Sequence, residues 1–92
     1  MSNSLIKYFC FDLDGTLLDS KKNVSTEARD KIIELKNNGA IIILASGRHF
    51  IEMTRYIKEL NLDHNDFAIS CDGLYAHSCN GDLLFTRTFL SK

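Results

Sequence analysis

The stretch of sequence that decides the fold is residues 9–18, which read FCFDLDGTLL. An apolar run leads into two carboxylates one residue apart, Asp12 and Asp14, and Gly-Thr follows at once. Because residues 5–11 are apolar without strict alternation, they are predicted to form a strand buried on both faces. Carboxylates at the end of such a strand are costly unless a metal or a substrate compensates for their charge. The stretch therefore indicates chemistry at the carboxyl end of a strand, and its context argues against a simple capped turn.

Further along the chain, helical spacing alternates with continuous apolar runs. Apolar residues recur at helical intervals over residues 25–38, where Ser25 or Thr26 can cap the start and Gly39 can end the helix. The run AIIILA at residues 40–45 predicts a second buried strand. A second amphipathic helix is predicted over residues 50–61 and a third strand over residues 67–71.

The C-terminal part of the chain has the signature of a hairpin. Asn80-Gly81 lies between the apolar segments 74–79 and 82–89, and this dipeptide is typical of a two-residue β-hairpin turn. Residues 1–92 are therefore predicted to form a single partial domain, with β-α-β-α-β order over residues 1–72 and a hairpin over residues 73–90.

Alternating strands and helices predict an α/β fold, a partial Rossmann-like core of three parallel strands. If right-handed crossovers lay these strands down in order, both helices fall on one face of the sheet. Apolar strands require cover on both faces, and this chain offers no third helix. We expect the uncovered face to meet a C-terminal half of the core, a second copy of the chain or a different partner chain.

Composition excludes several classes of function. The formal net charge of -1 gives no case for binding nucleic acid or an anionic membrane, and no apolar run approaches the ~20 residues of a membrane span. The three cysteines form no Cys-x-x-Cys pair, which predicts reduced thiols in a cytoplasmic protein, and Cys10 is predicted to pack within the sheet. The three histidines lack the spacing of metal ligands.

Polar clusters follow all three predicted parallel strands. They are Asp12, Asp14 and Thr16 after the first strand; Ser46, Gly47 and Arg48 after the second; and Ser70, Asp72 and Gly73 after the third. Ligands of open α/β sheets bind outside the carboxyl ends of the strands. Carboxylates beside a hydroxyl and backbone amides suit Mg²⁺ together with a phosphate. Asp72-Gly73 is by itself more typical of a turn than of a site.

These motifs resemble the haloacid dehalogenase-like hydrolase superfamily, and more narrowly its Cof-like sugar-phosphatase branch. Residues 12–17 match the first motif, Asp-x-Asp-Gly-Thr-Leu, and Ser46-Gly47-Arg48 matches the second. The separation of 34 residues between Asp12 and Ser46 suits one helical crossover. The segment from Asp72 onward resembles the place where this branch has Asn-Gly-Ala and enters its cap, although Asp72 departs from that asparagine.

The resemblance implies roles for particular residues. Asp12 would be the nucleophile that forms an aspartyl-phosphate, and Asp14 would act as general acid and then as general base. Mg²⁺ would be held by the Asp12 carboxylate and the Asp14 backbone carbonyl. Ser46 would bind a phosphoryl oxygen beside Gly47, Thr16 would orient the loop, and Arg48 would bind substrate or brace the loop.

The resemblance also implies that much of the enzyme lies outside this sequence. The third motif, a lysine, and the fourth, an acidic pair, follow the cap in the family and have no equivalent up to Lys92. We therefore expect a truncated phosphatase for a small phosphorylated metabolite, such as a sugar phosphate, with little activity alone. The alternative is a non-catalytic remnant or binding module that docks on a partner chain.

Overall fold

The computed structural model describes residues 6–86. Its regular elements, in chain order, are β1 (Tyr8–Asp12), α1 (Thr26–Asn37), β2 (Ile41–Ala45), α2 (Phe50–Glu59), β3 (Phe67–Ser70), β4 (Tyr75–Ser78) and β5 (Leu83–Thr86). The strands form one sheet in the order β1-β2-β3-β4-β5, in which β1, β2 and β3 are parallel and β4 and β5 are antiparallel. The predicted α/β architecture is confirmed.

The first helix begins and ends where its sequence predicts. The Ser25 side chain caps α1 by accepting a hydrogen bond from the Ala28 N–H at 3.1 Å. Gly39, just beyond the helix, has a φ of 87°, a left-handed conformation that glycine adopts without a steric penalty. β2 begins two residues after Gly39, so the connection from α1 to β2 is short.

Both helices pack on one face of the sheet, as predicted. α1 contributes the buried Ile32, and α2 contributes Met53, Tyr56 and Ile57. The sheet meets them with alternate residues of its central strands, which are Ile42, Leu44 and Ala68. These side chains belong to one apolar cluster, so burial of this cluster is the main stabilising contribution to the fold.

The opposite face of the sheet, here called the bare face, has no helix over it among the described residues. The strand registers place on it Tyr8, Cys10, Ile41, Ile43, Phe67, Ile69, Ala76 and Phe85. Tyr8 is 59% exposed and Phe85 is 54% exposed. The prediction that Cys10 packs within the sheet is wrong, because its face is uncovered and its side chain is exposed.

The predicted hairpin is confirmed, but the prediction of a two-residue turn at Asn80-Gly81 is wrong. The Ser78 N–H donates to the Asp82 carbonyl oxygen and the Gly81 N–H donates to the Ser78 carbonyl oxygen, both at 2.9 Å, so residues 79–81 form the loop. β4 pairs with β5 in antiparallel register, with an irregularity at Ala76/His77. β3 ends at Ser70 rather than at Cys71, because Cys71 and Asp72 take φ angles of 50° and 55°. Residue 5 of the predicted first strand and residues 87–89 of the predicted last strand lie outside the described residues.

A buried ion pair ties the elements together at the end of the sheet remote from Asp12. The buried Asp66 carboxylate lies 2.5 Å from the Lys36 Nζ and accepts hydrogen bonds from the Ile42 and Asp63 N–H groups at 2.9 and 3.0 Å. Burial alone would lower the pKa of Lys36, but the Asp66 hydrogen bond and charge outweigh it, so that pKa is raised. α1, β2 and the segment before β3 are thereby joined at one carboxylate.

Among residues 6–86, none of the helices has the length and apolar character needed to cross a bilayer.

Candidate active site

The first carboxylate pair projects from a turn that its apolar neighbours hold in place. Asp12 is the last residue of β1 and is exposed, whereas Leu13 and Leu17 beyond it are buried. The turn is closed by the Leu18 N–H, which donates to the Leu13 carbonyl oxygen at 3.1 Å. Gly15 has a φ of 87°, which explains glycine at this position. Alternating burial thus keeps the aspartates at the surface.

The Ser46-Gly47-Arg48 loop after β2 brings the second motif to the first. The buried Ser46 hydroxyl accepts a hydrogen bond from the Arg48 N–H at 3.0 Å, and the Ser46 Oγ lies 3.4 Å from the Asp14 Oδ2. The Arg48 guanidinium donates from Nε to Asp14 Oδ2 at 3.0 Å and from Nη2 to Asp14 Oδ1 at 2.9 Å. Such a two-pronged contact is the strongest form of arginine–carboxylate pairing.

This contact sets the charge of Asp14. The Arg48 hydrogen bonds hold the pKa of the Asp14 carboxyl below its ordinary value, with smaller contributions from the charges of Arg48 and Lys22. The same contact raises the pKa of Arg48. Asp14 is therefore an ionised carboxylate in this arrangement, and it must leave Arg48 before it can carry a proton.

The turn after β3 completes the cluster. The Cys71 N–H donates to the Arg48 carbonyl oxygen at 2.8 Å, and the Asp72 N–H donates to the Ser46 carbonyl oxygen at 3.1 Å. The Asp72 carboxylate lies over Gly47, where a Cβ atom would come within 3.0 Å of its Oδ1. Asp72, which belongs to the polar cluster predicted after the third strand, is thus part of the site's wall as well as a turn residue.

The structure does not join every predicted site residue to this cluster. Thr16 is exposed in the turn after β1, and its hydroxyl has no hydrogen bond to another residue among positions 6–86. The Asp12 carboxylate likewise makes no hydrogen bond or ion pair with the described part of the chain. Asp14, Ser46 and Arg48 are brought into direct contact, with Gly47 and Asp72 beside them.

Sequence reasoning missed Lys22 and Tyr56. The Lys22 Nζ lies 3.6 Å from the Asp14 Oδ1, although its side chain is 61% exposed. The Tyr56 hydroxyl donates to the Lys22 carbonyl oxygen at 2.9 Å, and the Tyr56 ring lies 5.6 Å from the Arg48 guanidinium carbon. Tyr56 could have been found from its helical spacing with Met53, but Lys22 has no local signal because its position depends on a left-handed φ of 65°.

Of the two carboxylates after β1, only that of Asp12 is free of an ion pair in the described residues and suits Mg²⁺. No group of three or more Asp, Glu, His or Cys side chains within residues 6–86 is arranged to hold a metal ion. Mg²⁺ commonly takes only one or two protein carboxylates and completes its shell with water and phosphate oxygens. Asp12 has the exposed carboxylate for this purpose, whereas the Asp14 carboxylate is paired with Arg48.

Comparisons with known proteins agree with this fold and motif set. The family model for haloacid dehalogenase-like hydrolases matches residues 9–92. The chain is 37% identical to the candidate phosphatase YxeH of Bacillus subtilis strain 168 over 70 residues, which are 75% of this chain and 26% of YxeH. It is 32% identical over 77 residues to the HMP-PP phosphatase of Cronobacter sakazakii, covering 84% of this chain and 28% of that protein.

A solved structure leads to the same assignment. The crystal structure of a haloacid dehalogenase-like hydrolase from Bacteroides thetaiotaomicron superposes with a TM-score of 0.82 at 28% identity, covering 89% of this chain and 32% of that one. The chain belongs to the haloacid dehalogenase-like hydrolase family, and its relatives include proteins named as phosphatases. It spans between a quarter and a third of the length of these relatives.

Proposed function

We propose that this chain carries the nucleophile and part of the phosphate site of a Mg²⁺-dependent phosphatase. The observation that supports this most is the contact of Asp14 with Ser46 and Arg48, which unites the carboxylates after β1 with the hydroxyl and guanidinium after β2. Related proteins named as phosphatases support the same reaction class. The proposed substrate is a small phosphorylated metabolite, such as a sugar phosphate.

The proposed reaction begins at Asp12. An Asp12 carboxylate oxygen attacks phosphorus, the bond from phosphorus to the leaving oxygen breaks, and an aspartyl-phosphate forms. Asp14 gives a proton to the leaving alkoxide and then removes one from the water that hydrolyses the intermediate. Asp12 is exposed, so a substrate can reach its side chain.

Ser46, Gly47 and Arg48 are proposed to bind the phosphoryl oxygens, and Thr16 to orient the loop. Arg48 presents a planar fork of donors that suits phosphate as well as carboxylate. A bound phosphate therefore competes with Asp14 for Arg48. Its arrival releases the Asp14 carboxylate, which can then take up the proton that the reaction requires.

Asp12 and the Asp14 backbone carbonyl are the proposed ligands of Mg²⁺. When bound, the ion supplies neutralisation of the charge on the transferring phosphoryl group. The described residues offer Lys22 and Arg48 as the cations beside Asp14. Since cationic contacts can change phosphoryl-transfer rates by 10³-fold or more, and the chain spans only part of its relatives, we expect little turnover from the 92 residues alone.

The binding-module alternative rests on the bare face. Exposed apolar residues on a parallel sheet favour contact with other protein, which is either a second copy or another chain. In that case the residues after β1 and β2 would bind cation or phosphate weakly without turnover.

We also propose a cytoplasmic location, because the three cysteines form no Cys-x-x-Cys pair.

Hydrolysis of p-nitrophenyl phosphate in the presence of MgCl₂ tests the proposed reaction. We expect turnover well below ~1 per second, the low end of ordinary enzymes, and loss of any residual rate in Asp12→Asn. Turnover at or above that value would contradict the low activity expected of the chain alone. A residual rate that Asp12→Asn leaves unchanged would contradict the proposed nucleophile.

A further inference from the structure

A second candidate site lies on the helix side of the sheet, between the start of α2 and the hairpin. It is an open cleft of about 340 Å³ whose walls include His49, Phe50, Ser70, Cys71, Tyr75 and His77. The Phe50 and His77 rings stack with centroids 4.1 Å apart and form an aromatic wall. None of these side chains has a role in the proposed phosphatase reaction.

The cleft contains a cysteine–histidine pair. The Cys71 Sγ lies 3.2 Å from the His49 Nδ1, and Cys71 is partly exposed. The hydrogen bond from the Cys71 N–H to the Arg48 carbonyl oxygen, at 2.8 Å, fixes the backbone of Cys71 next to the residue before α2. A thiol within hydrogen-bond reach of an imidazole can pass its proton to the ring, and the thiolate that results is the reactive form of cysteine.

The other two cysteines lack this arrangement. Cys10 is exposed on the bare face and has no histidine contact among the described residues. Cys79 is buried, and burial raises the pKa of its thiol to about 12. Cys10 and Cys79 are therefore internal controls for the reactivity of Cys71. Cys10 is an accessible thiol with no histidine beside it in the described residues, and Cys79 is an inaccessible thiol.

Buried polar atoms in the cleft also indicate a ligand. Ser70 is fully buried, and its hydroxyl has no hydrogen-bond partner among residues 6–86. The His77 Nδ1 is buried and unpartnered in the same part of the structure. Polar atoms in this state normally have a partner. Groups with amide or carboxylate atoms next to the sulfur of a bound thiol compound would provide one.

We propose that Cys71 is a thiol-modification site that reacts with small peptide disulfides. The His49 Nδ1 accepts the Cys71 proton, and the thiolate attacks one sulfur of the reagent disulfide. The reagent's S–S bond breaks as a new disulfide forms at Cys71, and the departing thiolate takes up a proton to leave as a free thiol. The Cys71 sulfur is oxidised from the thiol to the disulfide level, and the departing sulfur of the reagent is reduced from the disulfide to the thiol level.

The modification would act on the phosphate site through the backbone. Cys71 and Asp72 hold the Ser46-Gly47-Arg48 loop by two hydrogen bonds from their N–H groups. The charged groups around the pair are Glu52, which accepts from the His49 N–H at 3.0 Å, Asp72 in the same turn, and Arg48. A group attached to Cys71 would occupy the cleft beside this turn.

Timed treatment of the full chain with oxidised glutathione, followed by mass mapping of each cysteine, tests the proposal. At pH 7 we expect Cys71 to react about threefold or more faster than the more exposed Cys10, because the His49 imidazole lies within hydrogen-bond reach of the Cys71 thiol and can take up its proton, whereas Cys10 has no histidine beside it among the described residues. Cys79 should stay unmodified until the chain is unfolded. In urea, the rates at Cys71 and Cys10 should converge.

Variants of His49 distinguish its proposed role as the base for Cys71 from its role as the N-cap residue of α2. His49→Asn and His49→Ser each remove the imidazole but supply a preferred N-cap residue just before α2. Both should reduce the rate at Cys71 to that of Cys10 without changing the rate at Cys10. The exposed His64→Asn is the matched control and should change neither rate. A native Cys71 that reacts no faster than Cys10, or a Cys71 rate unchanged in both His49 variants, would overturn the proposal.

Discussion

Arg48 and Asp14 form a two-pronged ion pair across the ends of β1 and β2, with donor–acceptor distances of 3.0 and 2.9 Å. Helix α1 and strand β2 lie between them in the sequence, yet the parallel pairing of β1 with β2 makes them neighbours. The pair keeps Asp14, the proposed acid/base residue, ionised. It also engages Arg48, the proposed phosphate-binding residue, so each of the two side chains must release the other before it can act in the reaction.

Replacing Arg48 by Gln should raise the pKa of Asp14 toward the ordinary value, because the hydrogen bonds that lower it are lost. At pH values above the Asp14 pKa of the unfolded chain, about 3.9, the ion pair stabilises the fold. This stabilisation is lost as the pH falls through the lower Asp14 pKa of the folded chain. The ¹³C shift of the Asp14 carboxyl, followed against pH, measures the change. Lys22→Gln is the control and should have a smaller effect, since Lys22 is farther away and exposed. An unchanged Asp14 titration in Arg48→Gln would contradict the pairing.

Gly47→Ala should destabilise the chain by no more than about 1 kcal/mol, because the new methyl group would meet the Asp72 carboxylate at 3.0 Å and this exposed side chain can shift away from it. The free energy of unfolding in urea, measured in a double-mutant cycle with Asp72→Ala, tests this cause. The alanine at position 47 should cost less when Asp72 is already shortened. Equal costs in both backgrounds would show that the crowding is not with Asp72.

Lys36→Ala should destabilise the fold by about 3–5 kcal/mol, because it leaves the buried Asp66 carboxylate without its cation. The matched control is Lys31→Ala on the same helix, whose exposed pair with Glu34 should contribute no more than about 0.5 kcal/mol. Urea unfolding followed by circular dichroism gives both values. Similar effects of the two substitutions would contradict the structural importance assigned to the buried pair.

The bare face predicts that the purified chain associates with itself. Phe85→Lys, which places a charge on this face, should shift the population measured by analytical ultracentrifugation toward monomer. Ile51→Lys is the control, because Ile51 is 77% exposed but lies on α2, on the helix side of the sheet. A chain that is monomeric at all concentrations before substitution would contradict this prediction.

The regular elements could be predicted because their signals are local. The apolar run at residues 40–45 gives β2, Ser25 and Gly39 delimit α1, and Asn80-Gly81 gives the hairpin. The placement of both helices on one face follows from chain order and crossover handedness. These features require no knowledge of where individual side chains point.

The details of the site could not be predicted in the same way. Asp14 and Arg48 were both candidates, but their mutual pairing depends on side-chain directions fixed only in the folded sheet. Cys71 and Asp72 adopt left-handed backbone angles without being glycine, so the end of β3 and the approach of Asp72 to Gly47 had no sequence signal. The apolar run at residues 5–11 predicts that Cys10 is inside, but the run alone does not show which of its residues point to the face without a helix, and Cys10 is one of them.

The central claim is that the loops after β1 and β2 form a phosphate site. An NMR titration of the ¹⁵N-labelled chain with inorganic phosphate in the presence of MgCl₂ tests it most directly. Saturable shifts should concentrate at residues 12–16 and 46–48, and Ser46→Ala and Arg48→Gln should each weaken binding by about tenfold, which corresponds to the loss of one charge-assisted hydrogen bond. The exposed Lys31→Gln should bind like the parent chain. The absence of saturable shifts at these residues, or equal affinity in all variants, would contradict the account.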